Sequence, residues 1–208
     1  MVLPHEDLNA ADMLDVLWST RLMDHRQFSC LIVCILSHGT LGKVCGCDGV
    51  TITLQELAKP FTPKYCKGLV GKPKMFFIQA CQGEQSQQGI AQPSSTPQRD
   101  AIPFQYSSAP IQHSLQSSDE SLPSIPNEAD FLYGFCTVPG YEAYRDPDPS
   151  RGSWYISKLV ESLEKYASTK HLLDILILVN KGVAEKGDEN YKQMPAPQFT
   201  LRKKVLFN

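Results

Sequence analysis

Two short apolar stretches decide the fold. Phe28-Ser-Cys-Leu-Ile-Val-Cys-Ile-Leu36 runs into Ser37-His38-Gly39, and Lys74-Met-Phe-Phe-Ile-Gln79 runs into Ala80-Cys81-Gln82-Gly83. Each is too short for a buried helix and rich in β-branched or aromatic residues, so each reads as a strand. The first is apolar almost throughout, which suits a strand covered on both faces. Open α/β sheets bind ligands outside the C-terminal ends of their strands. His38 and Cys81 both stand at such an end. If the two strands are neighbours, a base and a nucleophile face each other across one cleft. A thiol becomes an effective nucleophile once an imidazole takes or attracts its proton. Gly39 and Gly83 let backbone come close to a substrate, and N–H groups there suit an oxyanion.

Outward from these strands the pattern alternates. A helix is expected from Asn9 to Met23, capped by Asn9, with Asp12 in its first turn and Ala11, Leu14, Leu17, Trp18 and Leu22 inward. Gly39 to Thr53 alternates around Asp48-Gly49 and reads as a hairpin. Phe131 to Thr137 reads as a strand. Trp154 to Ala167 reads as a helix with Ile156, Leu159, Val160 and Leu163 inward, 171–185 as a second helix, and Gln198 to Phe207 as a final strand. Strands alternating with helices give an α/β fold with a largely parallel sheet. One segment differs. Residues 91–127 hold six Pro, nine Ser and five Gln among 37 positions, too few apolar groups to offset the entropy of ordering them. The chain therefore divides into 1–90, carrying His38 and Cys81, an inter-subunit linker at 91–127, and 128–208.

Composition removes several function classes. A net charge of -2 leaves no basic excess for nucleic acid. The longest apolar run, Phe28 to Leu36, is nine residues interrupted by Ser29, far short of the roughly 20 needed to cross a bilayer, so membrane insertion is not expected. The first residues show no secretory signal. Seven cysteines, an odd number in no small-scaffold spacing, fit free thiols in a reducing cytoplasm. Cys30, Cys34 and Cys136 read as inert core, and Cys66 suggests no role. Cys45-Gly46-Cys47 lacks a second ligand pair, so no metal and no cofactor is expected.

Taken together, Ser37-His38-Gly39 and Gln79-Ala80-Cys81-Gln82-Gly83 resemble the caspases. The resemblance runs from about residue 10 to 207. It includes LMDH at 22–25, KPKMFFIQACQGE at 72–84, EADFLYGF at 128–135, RGSWYI at 151–156 and QFTLRKKVLF at 198–207. It looks most like the death-receptor initiator branch. It implies a three-layer α/β/α sandwich and a cysteine endopeptidase that cleaves proteins after aspartate in apoptotic signalling. Cys81 is then the nucleophile and His38 the acid–base, with the N–H groups of Gly39 and Cys81 as oxyanion hole. Gln79 and Arg145 line the aspartate pocket, where an Arg fork matches a carboxylate. Tyr144 and Trp154 wall the neighbouring subsites. Asp146 and Asp148, beside Arg145, are expected to tune or weaken binding of an acidic substrate.

The same resemblance implies departures. The residues that give the family its first two strands and a second pocket Arg have no counterpart here, Arg21 and Arg26 lying around the helix end. The amino-terminal death-effector domains are also absent. Two explanations stand: an incomplete or alternatively spliced chain, or a shortened protein with altered function. Two functions likewise stand: an aspartate-directed protease, or a feeble or inactive caspase-like regulator that pairs with a complete caspase. Either implies a homodimer, or a heterodimer with another caspase, through the final strand. Processing is expected in the linker, at Asp100, followed by small Ala101, before Asp119, followed by Glu120. Asp130 abuts a strand and should be shielded.

Overall fold

The computed structural model describes residues 1–90 and 124–207. Asp100 and Asp119 lie outside the described residues. Residues 1–89 and 125–208 group into one compact unit.

Helix α1 spans Ala10–Thr20. Asn9 caps it, its side chain accepting from the Asp12 N–H at 2.9 Å. The helix stops at Thr20, before the expected Met23, and Asp24 caps a single 3-10 turn beyond it. Its inner face is Ala10, Met13, Leu14 and Leu17. Ala11 and Leu22 face solvent, so the stripe sits one residue from the expected one. Strand β1 (Leu31–Leu36) follows, then β2 (Gly39–Thr40), β3 (Lys43–Cys45) and β4 (Thr51–Thr53) as a small antiparallel sheet. Helix α2 (Leu54–Ala58) starts with a reciprocal Thr53–Glu56 capping box. Then come β5 (Lys74–Gln79), β6 (Phe131–Phe135), α3 (Trp154–Tyr166), α4 (Leu172–Ala184) and β7 (Ala196–Phe199).

The main sheet has the order β1-β5-β6-β7. The first three strands are parallel and β7 is antiparallel to β6. Alternate residues divide its two faces. Ile35, Phe76, Ile78 and Phe131 pack with α1, α2 and the small sheet. Met75, Phe77 and Leu132 pack with α3 and α4 through Tyr155, Leu159, Ile175, Leu176 and Val179. This is a caspase-like α/β/α sandwich with a mixed, largely parallel sheet.

Four expectations need correction. β1 is covered on one face only: Ile32 is 46 % exposed and Leu36 61 %, with Cys34 exposed between them. The α3–α4 layer lies over β5 and β6, and an apolar run does not reveal which strand lies beyond it. Of the three cysteines read as core, only Cys136 is fully buried, Cys30 being half-buried. The final strand is Ala196–Phe199, not Gln198–Phe207. Beyond it Leu201, Val205 and Phe207 turn onto the second core, and the Val205 carbonyl accepts from the Leu172 N–H at 2.8 Å. An orphan donor at the start of α4 is thereby satisfied. On α3, Val160 faces solvent and Tyr155 takes the buried position.

Candidate active site

The parallel register of β1 with β5 joins Leu31 to Lys74 and Leu36 to Gln79, partners 43 residues apart in number. His38 and Cys81 share that spacing and leave the same end of adjacent strands. The Ser37 N–H donates to the Gln79 carbonyl at 3.0 Å, which carries the pairing one step further. The Cys45 N–H then donates to the His38 carbonyl at 2.9 Å and the Ser37 hydroxyl to the Cys45 carbonyl at 2.6 Å. His38 is thus held on the hairpin and exposed, while Cys81 is half-buried. The side-chain oxygen of Gln79 is buried with no donor among the described residues.

Gln82, 2 % exposed, ties the two loops together. Its Oε1 accepts from the Gly42 N–H at 3.0 Å and its Nε2 donates to the Cys81 carbonyl at 3.2 Å. Gly39 lies closer to protein than to open space. A Cβ there would stand 2.5 Å from the Lys43 carbonyl oxygen and 2.9 Å from the Ala80 Cβ. Gly83 likewise faces the backbone of Gly140.

The segment after β6 brings the remaining candidates. The Ala143 N–H points at the Cys81 sulfur, 3.4 Å away. The Tyr144 N–H donates to Gln193 Oε1 at 2.6 Å, and the Trp154 N–H donates to the Tyr144 carbonyl at 3.2 Å. Arg145 is exposed, with its backbone bridged to Ser153. Among the described residues no carboxylate pairs with it. Asp146 and Asp148 stand 3.9 and 3.6 Å from Arg151 instead, so part of their charge is offset before it reaches Arg145. Hydrogen bonds from Ser150 hold the Asp148 carboxyl below the usual range. Tyr144 and Trp154 pack at 5.2 Å between ring centroids, and Tyr191 adds an edge at 5.8 Å.

The structure therefore places His38, Gly39, Gln79 and Cys81 at one end of two adjacent strands. The 143–145 segment joins them through Cys81, and the Arg145 side chain stands apart. Gln82, Gln193 and Tyr191 are additions. Gln82 stands in the Gln79–Gly83 string but without a role read from it, and Gln193 sits in a polar loop with no periodic signal. Burial pushes up the thiols of Cys30, Cys34 and Cys66, and that of Cys136 to about 12. Among the described residues no group of three His, Cys, Asp or Glu is placed to hold a metal, and no helix is long and apolar enough to cross a membrane.

A cysteine and a histidine at the same end of adjacent parallel strands, in a three-layer sandwich, form the arrangement of the caspase fold. Residues 1–206 match the family described as the caspase domain, and the chain belongs to that family. It is 41 % identical to caspase-8 of Rattus norvegicus over 210 residues, covering 99 % of this chain and 41 % of that protein. It is 36 % identical to caspase-9 of Homo sapiens, covering 97 % of this chain and 50 % of that protein. Against caspase-3 of Bos taurus the identity is 34 %, with coverage of 97 % and 68 %. The chain thus spans only 41 % of the length of its caspase-8 relative.

Proposed function

We propose that the chain carries the catalytic unit of an aspartate-directed cysteine endopeptidase of initiator-caspase type, working in apoptotic signalling in the cytoplasm. The observation that supports it most is the β1–β5 register, which brings His38 and Cys81 to the same end of adjacent strands. In this reading the Cys81 thiolate attacks the scissile carbonyl carbon, a C–S bond forms, and the carbonyl electrons move to oxygen. The N–H groups of Gly39 and Cys81 hold that oxyanion. In an antiparallel ladder, hydrogen-bonded and non-hydrogen-bonded pairs alternate. The Cys45–His38 bond makes the next pair, Gly39 with Val44, one whose N–H groups face outward. The Gly39 donor is therefore available. His38, protonated, gives its proton to the departing amine as the C–N bond breaks. Water then attacks the thioester, neutral His38 taking its proton; the C–S bond breaks, the carboxylic acid product leaves, and Cys81 departs as the thiolate beside protonated His38.

Gln79 and Arg145 read the aspartate. The Gln79 amide N–H and the Arg145 fork donate to the substrate carboxylate, and the unpartnered Gln79 Oε1 accepts a further Arg145 N–H. Tyr144 and Trp154 flank the preceding substrate residue. Primary processing falls at Asp100, with Asp119 second; the first cut gives a fragment of residues 1–100 that carries His38 and Cys81 and a fragment from residue 101 that carries Arg145 and the terminal strand. The working form is a dimer, of two copies or with another caspase. The open, apolar face of β1 at Ile32 and Leu36 favours a second reading, a regulator that docks on a complete caspase. The test is labelling of the purified chain with a peptidyl aspartyl acyloxymethyl ketone, followed by peptide mapping. Modification of Cys81 alone, lost in His38→Ala, supports the protease; no modification of Cys81 in wild-type chain favours the regulator.

A further inference from the structure

Gln193 lies just before β7, far in sequence from Cys81 and Arg145. It is 1 % exposed, and an amide so deeply buried must satisfy both its ends. Its Nε2 donates to the Cys136 carbonyl at 2.7 Å, and its Oε1 accepts from the Tyr144 N–H at 2.6 Å. The partners fix its orientation, since one offers only an acceptor and the other only a donor.

The two partners belong to different halves of the site. Cys136 is part of the nucleophile's frame. Its N–H donates to the Ile78 carbonyl at 3.0 Å, and its thiol to the Ala80 carbonyl at 3.2 Å, next to Cys81. Tyr144 is part of the substrate-reading segment. Ala143 before it touches the Cys81 sulfur, and Arg145 after it carries a guanidinium that pairs with no carboxylate among the described residues. The segment up to Glu142 is tied to the 82–85 loop by its own backbone bonds. Beyond Glu142 it is held by Gln193 on one side and by Ser153 and Trp154 on the other.

We propose that Gln193 is a positioning residue for aspartate recognition: its carboxamide spans from the Cys136 carbonyl to the Tyr144 N–H and so sets where Arg145 stands relative to Cys81. The proposal rests on the reading of Cys81 and Arg145 given above. Without the span, the Tyr144 N–H and the Cys136 carbonyl lose their partners, and the 143–145 segment is anchored on one side only. A displacement on the order of 1 Å is enough to cost about 100-fold in a reaction that depends on alignment. The loss should fall on acidic substrates alone, because Cys81 and His38 keep their own strands.

The experiment compares three rates of Cys81 modification in the full chain: by a peptidyl aspartyl ketone, by its asparaginyl twin, and by iodoacetamide. In Gln193→Met, a near-isostere without hydrogen bonds, the aspartyl-to-asparaginyl ratio should fall at least about tenfold. The iodoacetamide rate should stay within about twofold, as expected where only alignment with Arg145 is lost. In an Arg145→Ala background the same substitution should leave the ratio unchanged. Gln193→Leu removes both hydrogen bonds without adding a charge, so it must move the ratio in the same direction if the Met variant does not fold. A wild-type ratio near one overturns the reading of Arg145 and this proposal with it. A wild-type preference that survives both Gln193 variants, or a parallel fall in all three rates, overturns the proposal alone.

Discussion

Gly39→Ala is the sharpest test of the geometry at the strand ends, because it adds one methyl and keeps the backbone N–H. The new Cβ would lie 2.5 Å from the Lys43 carbonyl oxygen, 2.9 Å from the Ala80 Cβ and 3.2 Å from the Cys81 carbonyl oxygen, where ordinary contact begins at 3.4 Å. Relief requires about 0.9 Å from Lys43 and about 0.5 Å from Ala80. None of these neighbours is the free end of a flexible side chain. Lys43 lies across the hairpin and Ala80–Cys81 on the neighbouring strand end, so relieving both contacts moves His38 relative to Cys81. Overpacking of this kind costs about 1–3 kcal/mol. A shift approaching 1 Å between base and nucleophile slows an aligned reaction by about 100-fold. Urea denaturation reads the first quantity, and the rate of Cys81 modification by an aspartyl ketone reads the second. Gly49→Ala is the control. It meets nothing within 4 Å but holds φ at +77°, so it should lose about 1–2 kcal/mol of stability and no rate. A Gly39→Ala chain that modifies Cys81 at the wild-type rate would refute the placement of Gly39 between the two loops.

Other outcomes follow from the same contacts. Arg145→Lys keeps the charge but loses the fork, and its KM for an aspartyl peptide should rise about tenfold in steady-state assays; an unchanged KM removes Arg145 from the pocket. Arg202 holds the Asp130 carboxyl below its ordinary range through bonds at 3.0 and 2.7 Å. That stability is present above the unfolded pKa of about 3.9 and lost as pH falls through the lower folded value. Asp130→Asn, which tolerates the positive φ of 66°, should therefore be less stable than wild type at pH 7, with the gap closing below about pH 4; a gap that does not change with pH denies the pair its role. Gly134→Ala would place its Cβ 2.5 Å from the Tyr155 hydroxyl and 2.7 Å from Phe77. It should cost about 1–3 kcal/mol in urea, and combining it with Tyr155→Phe should cost less than the sum of the two, since the hydroxyl is the nearer of the two clashing groups.

What the sequence made legible was local or repetitive. Lys74–Gln79 is a strand over the range its apolar run indicates, and the capping chemistry of Asn9 marks where α1 begins. His38 and Cys81 stood out because strand ends in an α/β sheet concentrate reactive groups, and their spacing matches the β1–β5 register. Coverage was not legible. Nothing in an apolar run such as Leu31–Leu36 distinguishes a strand inside the sheet from one with a bare face. The C-terminal tail reads as a strand by composition, yet Val205 is recruited to α4, a demand created only by tertiary packing. Gln82 and Gln193 were hidden for a related reason. A buried amide gains its meaning from the backbone groups at its two ends, and those lie up to 57 residues away.

The pairing of β5 with β6 joins stretches of chain that meet only through the fold. While the backbone between Gln79 and Phe131 is intact, an unfolded molecule finds its missing strand at the effective concentration of a tether, about 1 mM. Once that backbone is cut, the two pieces must meet at their own concentration. At about 1 µM this is a thousandfold disadvantage, about 4 kcal/mol. Unfolding of the cut molecule becomes dependent on dilution, while that of the intact chain does not. Order of events then matters. Folding has to precede cutting, and each cut molecule that unfolds in dilute solution loses its partner. A cleavage there gives the protein a history that equilibrium cannot reverse.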